Sequence, residues 1–293
     1  MAVSMAGFTA NDTLVKLASE DMNMGQVMFV RGFFATILIT LLAWHQGALK
    51  VPRHVLHPKM LVRMVGEIGG TVLFLIALAH LPLANVSAVL QALPLAVTMG
   101  AALVFAEPVG WRRWMAIIVG FFGVMIIVRP GFEGFSVYSL LALLCVGFCA
   151  VRDLATRQIP DEVPSLLISV ATAVSVTVCG ALLIAPFGGW TPLTSAATLE
   201  LAGAACLLLV GYQFIIKSMR IGDISFIAPF RYMSLLWAIL LGFLVFGDVP
   251  DLAMIVGSVI IVMSGLYALY RERVRRRPIA ASSTSAAMAP DGL

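Results

Sequence analysis

Charge is what this sequence has least of. Only 12% of its 293 residues are Asp, Glu, Lys or Arg, about half of the ~25% usual in a soluble domain. With 61% apolar residues and a mean hydropathy of +1.01, a water-soluble fold of this length would leave much apolar surface exposed. Cysteine is also scarce: Cys145, Cys149, Cys179 and Cys206 all fall inside apolar stretches. Cys145 and Cys149 share a helical face, but no His or carboxylate cluster completes a metal site beside them. The four read as small buried hydrophobes, and no disulfide, metal or cofactor is expected. The chain has no HExxH, no GxGD, no Ser–His pair in a recognisable context and no GxxxxGK, so no enzyme chemistry announces itself. It also lacks the charged ring or filter loop of a channel. No basic residue precedes Lys16, so a secretory signal is not expected.

What is present is a series of apolar stretches long enough to cross a hydrocarbon core. They lie at about 1–18, 24–45, 61–80, 83–105, 112–128, 136–157, 164–185, 197–217, 224–246 and 252–270. Turn formers separate them, among them Pro82, Pro108, Pro130-Gly131, Pro160, Gly188-Gly189, Gly222-Asp223 and Pro250. The expected fold class is therefore an all-α integral membrane protein with ten transmembrane helices.

The +4 net charge is distributed in a way that points to a membrane and not to nucleic acid. With the N-terminus inside, Lys50, Arg53, Lys59, Arg63, Arg112, Arg113, Arg152, Arg157, Lys217 and Arg220 fall in cytoplasmic connections, and five tail arginines from Arg271 to Arg277 join them. That places fifteen of nineteen basic residues on one side, and the positive-inside rule then puts both termini in the cytoplasm. The tail reads as an electrostatic stop at an anionic leaflet, followed by a small, polar, disordered stretch at 278–293.

The halves resemble one another. Gly7-Phe8-Thr9-Ala10 recurs as Gly147-Phe148-Cys149-Ala150, Leu103-Val104-Phe105-Ala106-Glu107 as Leu244-Val245-Phe246-Gly247-Asp248, and Gly123 matches Gly265. The offsets of 140, 141 and 142 residues are nearly constant. Five spans per half is an odd number, so the second half must enter the membrane upside down. Two inverted repeats, at 1–130 and 136–271, with a tail at 272–293, are expected. A site on the pseudo-two-fold axis between them can open to either face in turn, which favours a carrier.

On Gly7 and Lys16, Arg31, Pro94, the span-ending acids Glu107 and Asp248, and Gly123 with Gly265, residues 1 to about 271 resemble the drug/metabolite transporter superfamily with two EamA-type repeats. Within it the chain is similar to the bacterial YddG-type exporters of aromatic and other amino acids. The resemblance implies secondary transport of small polar metabolites, amino acids foremost, across a bacterial inner membrane. Other metabolites or drug-like solutes are the alternative, with a channel or membrane-embedded enzyme behind it. The implied partners are a small-molecule substrate and membrane lipid, with no nucleic acid, and the chain is expected to act as a monomer.

Ser87, Gln91, Pro94 and Thr98 form one stripe on a span-4 helix. Either a polar cavity wall or interhelical hydrogen bonding accounts for it. The repeat maps Gln91 onto Tyr232, and Tyr212, Gln213 and Trp237 enrich spans 8 and 9 in side chains able to stack on a flat solute or simply to pack. His80 closes span 3, as a site or solvated residue. Ionisable groups inside spans face cavities or pair. Asp12 and Lys16 are i, i+4 neighbours, with Arg31 at similar depth. Arg152, Asp153, Arg157 and Arg231 form a comparable inner set, and gating or structural pairing explains both sets. Arg63, Glu67 and Glu200 are expected at the interface.

Overall fold

The computed structural model describes residues 1–47, 58–131, 135–159, 163–221 and 228–275. Lys50, Arg53, Pro160, the Gly222-Asp223 turn and the tail beyond Arg275 lie outside them. The described chain runs α1 (Ala2–Asp21), α2 (Met24–His45), α3 (Pro58–His80), α4 (Leu83–Leu90), α5 (Leu93–Val104), α6 (Trp111–Val128), α7 (Val137–Thr156), α8 (Ser165–Ile184), α9 (Ser195–Ile221), α10 (Met233–Leu241) and α11 (Leu252–Arg275). A 3₁₀ turn, Ala228–Tyr232, leads into α10, and a π turn, Gly242–Phe246, closes it. Helices are the form a single membrane-crossing segment must take, because each one satisfies its own N–H and C=O groups.

Among the described residues, nine spans are long and apolar enough to cross a membrane, with α4 and α5 together making one. The tenth expected span, α1, falls outside that set, its apolar run being interrupted by Asn11, Asp12 and Lys16. It lies instead within the bundle, where Ser4, Thr9, Asn11, Asp12 and Thr13 are all buried.

The helices pair antiparallel in a pattern that survives exchange of the halves. α1 packs on α9 and α3 on α7, spans 1 with 8 and 3 with 6. The first runs from Ser4 Oγ, which donates to the Gly211 carbonyl at 2.7 Å, to Leu14 against Gly203. α2 pairs with α8 and α6 with α11, so that spans 2 and 5 each meet their own counterparts, 7 and 10. At these two crossings glycine permits backbone contact. A Cβ on Gly25 would lie 2.6 Å from Ile184 N, and one on Gly257 would lie 2.6 Å from the Gly123 carbonyl oxygen. Such small-residue contacts are how helices gain dispersion energy in a bilayer, where burial of apolar surface gives no advantage over lipid.

Span 4 is not one helix. It breaks at Gln91-Ala92, where Ala92 N–H bonds back to the Val89 carbonyl at 3.0 Å. Pro94, which lacks an N–H and whose ring excludes the carbonyl four residues earlier, starts α5 instead of continuing α4. Span 9 changes winding at the corresponding place, Tyr232.

Replacing Gly257 by Ala should force α11 away from α6 and cost about 1–3 kcal/mol. The expected outcome is a lower thermal midpoint in detergent. Gly147→Ala is the matched control: nothing lies within 4 Å of its Cβ position, so it should be neutral or slightly stabilising.

Candidate substrate cavity

A cavity of about 70 Å³ lies between α1, the break in span 4, α9 and the start of α10. α1 contributes Met5, Phe8, Thr9 and Asp12, an i, i+3, i+4, i+7 stripe. Span 4 contributes Ser87, Leu90, Gln91 and Leu93; Ile215, Arg231 and Ser234 complete the lining. Gln91 Nε2 donates to Ser234 Oγ at 2.6 Å, and Ser234 Oγ donates to the Arg231 carbonyl at 2.9 Å. One hydrogen-bonded bridge thus ties the broken spans of the two halves. Asn11 Nδ2 donates to Asp12 Oδ1 at 3.0 Å, orienting the carboxylate beside the cavity. Arg231 brings the opposite charge to the same space.

Of the residues expected at a site, the structure brings Ser87, Gln91, Asp12 and Arg231 together. Tyr212 sits one layer behind, its ring edge-on to Phe8 with centroids 5.3 Å apart. Gln213 is half-buried on α9 and does not line the cavity. Trp237 packs in the apolar cluster around Met5, Phe8 and Tyr212. Pro94 and Thr98 face a separate recess with Arg113 and Gly265, and Thr98 Oγ1 bonds the Pro94 carbonyl at 2.8 Å. The break at Gln91-Ala92 turns the stripe, so its second half points elsewhere. Tyr232 is buried against Gly265. His80 is exposed and stacks on Tyr138, with centroids 3.8 Å apart. Thr9 and Ser234 were missed: each is a single hydroxyl in an otherwise unremarkable helix.

The ionisable groups sort differently from the expectation. Lys16 does not turn to Asp12. Its ammonium donates to the Leu81 carbonyl at 2.5 Å and lies 3.9 Å from Asp248. Arg63 and Glu67, expected at the interface, are 0% and 1% exposed. Glu67 accepts from Arg63 at 2.9 Å and from Arg152 at 3.1 Å, and Arg152 also reaches Asp153 at 2.9 Å. The four form one network between α3 and α7, and Arg231 of the cavity wall lies within electrostatic reach of its Asp153. The cause is glycine: Gly66 and Gly70 let α7 approach so closely that water is squeezed out around the charges. Arg157 pairs with Glu107 at 2.9 Å, and Arg31 is buried within α2.

Deleting one member of such a network leaves an uncompensated buried charge, which costs about 3–5 kcal/mol. Glu67→Leu, which strips Arg63 of its acid and leaves Arg152 with Asp153, should sharply reduce the monodisperse fraction on size exclusion and lower the thermal midpoint. Glu107→Gln, in a part-exposed pair, should leave both near wild type.

A bundle of inverted five-helix halves around a polar cavity at their broken spans defines a class, the ten-span membrane carriers. The EamA-like transporter family model matches residues 1–129. The riboflavin transporter of Vibrio cholerae is 33% identical over 220 residues, covering 74% of this chain and 73% of that one. The S-adenosylmethionine uptake transporter of Rickettsia felis is 26% identical over 92% of this chain and 91% of its own. The pseudopaline exporter CntI of Pseudomonas aeruginosa is 28% identical over 88% and 90%. One crystal structure superposes with a TM-score of 0.62 at 17% identity, covering 94% of this chain and 99% of the other, and shares the fold. The chain belongs to the EamA-like transporter family, a multi-pass membrane transporter and not an enzyme.

Proposed function

We propose that this protein is a secondary transporter that exports small zwitterionic metabolites, amino acids first, across the bacterial inner membrane by alternating access. The observation that carries this reading is that an acid, Asp12, and a guanidinium, Arg231, both stand on the walls of one cavity. An amino acid presents an ammonium and a carboxylate on one carbon, and charge-assisted hydrogen bonds to an acid and a guanidinium recognise that pair. Gln91 and Ser234 supply neutral polar contacts, and Met5, Phe8, Leu90, Leu93 and Ile215 give a side chain an apolar wall. Two of the relatives carry S-adenosylmethionine and pseudopaline, and S-adenosylmethionine bears a free α-amino-acid group. The bias of fifteen of nineteen basic residues to one side supports cytoplasmic termini. Ser87, Gln91, Asp12, Arg231 and Ser234 are the proposed binding residues, with repeats at 1–130 and 136–271, and the monomer as the working unit.

A second reading takes the flat ring system of riboflavin from the Vibrio relative, with the Phe8–Tyr212 edge pair as its stacking wall.

Counterflow in proteoliposomes loaded with a panel of amino acids and riboflavin separates these. Amino-acid exchange is the expected result, and Gln91→Ala or Ser234→Ala should cut it by about 10-fold, the scale of one to two kcal/mol for a neutral hydrogen bond left unmade. Exchange of riboflavin alone would overturn the amino-acid reading in favour of the second. Amino-acid exchange that Asp12→Asn and Arg231→Gln both leave unchanged would remove the charge pair from recognition.

A further inference from the structure

Lys16 and Arg157 stand 141 residues apart, as do Phe105 and Phe246, Ala106 and Gly247, and Glu107 and Asp248. The structure gives the two sets the same contacts. Span 4 ends on Ala106 with φ +52°, and Glu107 N–H bonds back to the Ala101 carbonyl at 3.4 Å. Span 9 ends on Gly247 with φ +69°, and Asp248 N–H bonds back to the Gly242 carbonyl at 3.0 Å. Residues 101 and 242 are themselves 141 apart. Each span thus closes in a left-handed turn that swings an acid out beside a phenylalanine ring. Alanine accepts that backbone reluctantly, so the turn in the first half is held although its residue disfavours it.

Onto each acid and ring comes a cation from the other half. Lys16 Nζ lies 3.9 Å from Asp248 and 4.9 Å from the Phe246 centroid. The Arg157 guanidinium lies 2.9 Å from Glu107 and 5.5 Å from the Phe105 centroid. Because the halves are inverted, the two clusters sit at opposite ends of the bundle. Lys16 continues the cavity stripe of α1 one turn beyond Asp12.

We propose that these clusters are a matched pair of gates, each a cation from the first helix of one half clamped on the acid and ring that end the fourth span of the other. The proposal rests on the carrier reading above. The side chains are part-exposed, 13% and 29% for Lys16 and Asp248, 24% and 32% for Arg157 and Glu107, so water can replace either pair as it opens. Part-exposed pairs are weak, which suits a contact broken in every cycle. The halves of the device differ in one respect. Arginine and glutamate meet closely, whereas the shorter aspartate leaves lysine at longer range, anchored also on the Leu81 carbonyl at 2.5 Å.

The test uses the full chain with Thr9→Cys as a cavity reporter. A membrane-impermeant maleimide is applied to one membrane face at a time, and labelling of the parent chain is subtracted. Asp248→Asn should raise labelling from the Lys16 face about 5-fold or more, the lower end of a typical coupling between two states, and lower it from the Arg157 face. Glu107→Gln should do the reverse. The charge-swapped pair Lys16→Asp with Asp248→Lys should return the rates towards the parent's. Should Asp248→Asn fail to give monodisperse protein, Lys16→Gln reads the same cluster from its other partner. Rates within about twofold of the parent on both faces, or both variants shifting the same face, would overturn the proposal. Labelling needs no substrate, so its outcome is independent of which solute the counterflow assay identifies.

Discussion

The rest of this structure depends on the requirement that no backbone polar group be left unpaired in hydrocarbon. Helices meet it at no cost, and most of the chain is therefore helical. Where span 4 abandons the helix at Gln91-Ala92 and span 9 changes winding at Tyr232, the interruption must face protein or water. Both interruptions face inward, next to each other, and the Gln91–Ser234 hydrogen bond joins them. The cavity is placed by that requirement as much as by any polar side chain.

Charge follows the same logic at two levels. Between α3 and α7, Arg63, Glu67, Arg152 and Asp153 are sealed from water and hold one another, which fixes the register of two helices from different halves. At the span ends, Lys16 with Asp248 and Arg157 with Glu107 keep access to water. Burial separates the fixed set from the exchangeable one, although all these residues look alike as ionisable groups within apolar sequence.

That distinction marks where the sequence stops being readable. Span count, the inverted repeat and the basic bias are properties of long stretches, where many residues vote. The site depends on single turns. The Ser87–Thr98 stripe assumed one uninterrupted helix, and Pro94 breaks it, so Ser87 and Gln91 reach the cavity while Thr98 does not. Met5 carried no signal, and Phe8 and Thr9 stood out only through the repeat match, because an apolar helix face looks the same whether it lines lipid, protein or a cavity. Glu67 seemed interfacial by its distance from the span end; only the approach of α7 across Gly66 and Gly70 makes it buried, and that is a fact of tertiary packing. The Gly7–Gly147 match sets spans 1 and 6 at an offset of 140, one short of the 141 between Lys16 and Arg157, and nothing local said that each would cross to the acid of the opposite half.

The glycine crossings of α2 with α8 and α6 with α11 differ in kind from the pairings of α1 with α9 and α3 with α7. They join each helix to its own counterpart, so they straddle the pseudo-two-fold axis. Exchanging the conformations of the two halves maps these helix pairs, like the contact of spans 4 and 9, onto themselves, whereas it converts the pairings of spans 1 with 8 and 3 with 6 into one another. A lever turns about the points that its motion leaves in place. In the alternating-access cycle proposed above, these crossings of counterpart helices would mark the fulcrum, and the distance of the two charged clusters from it would give them their leverage.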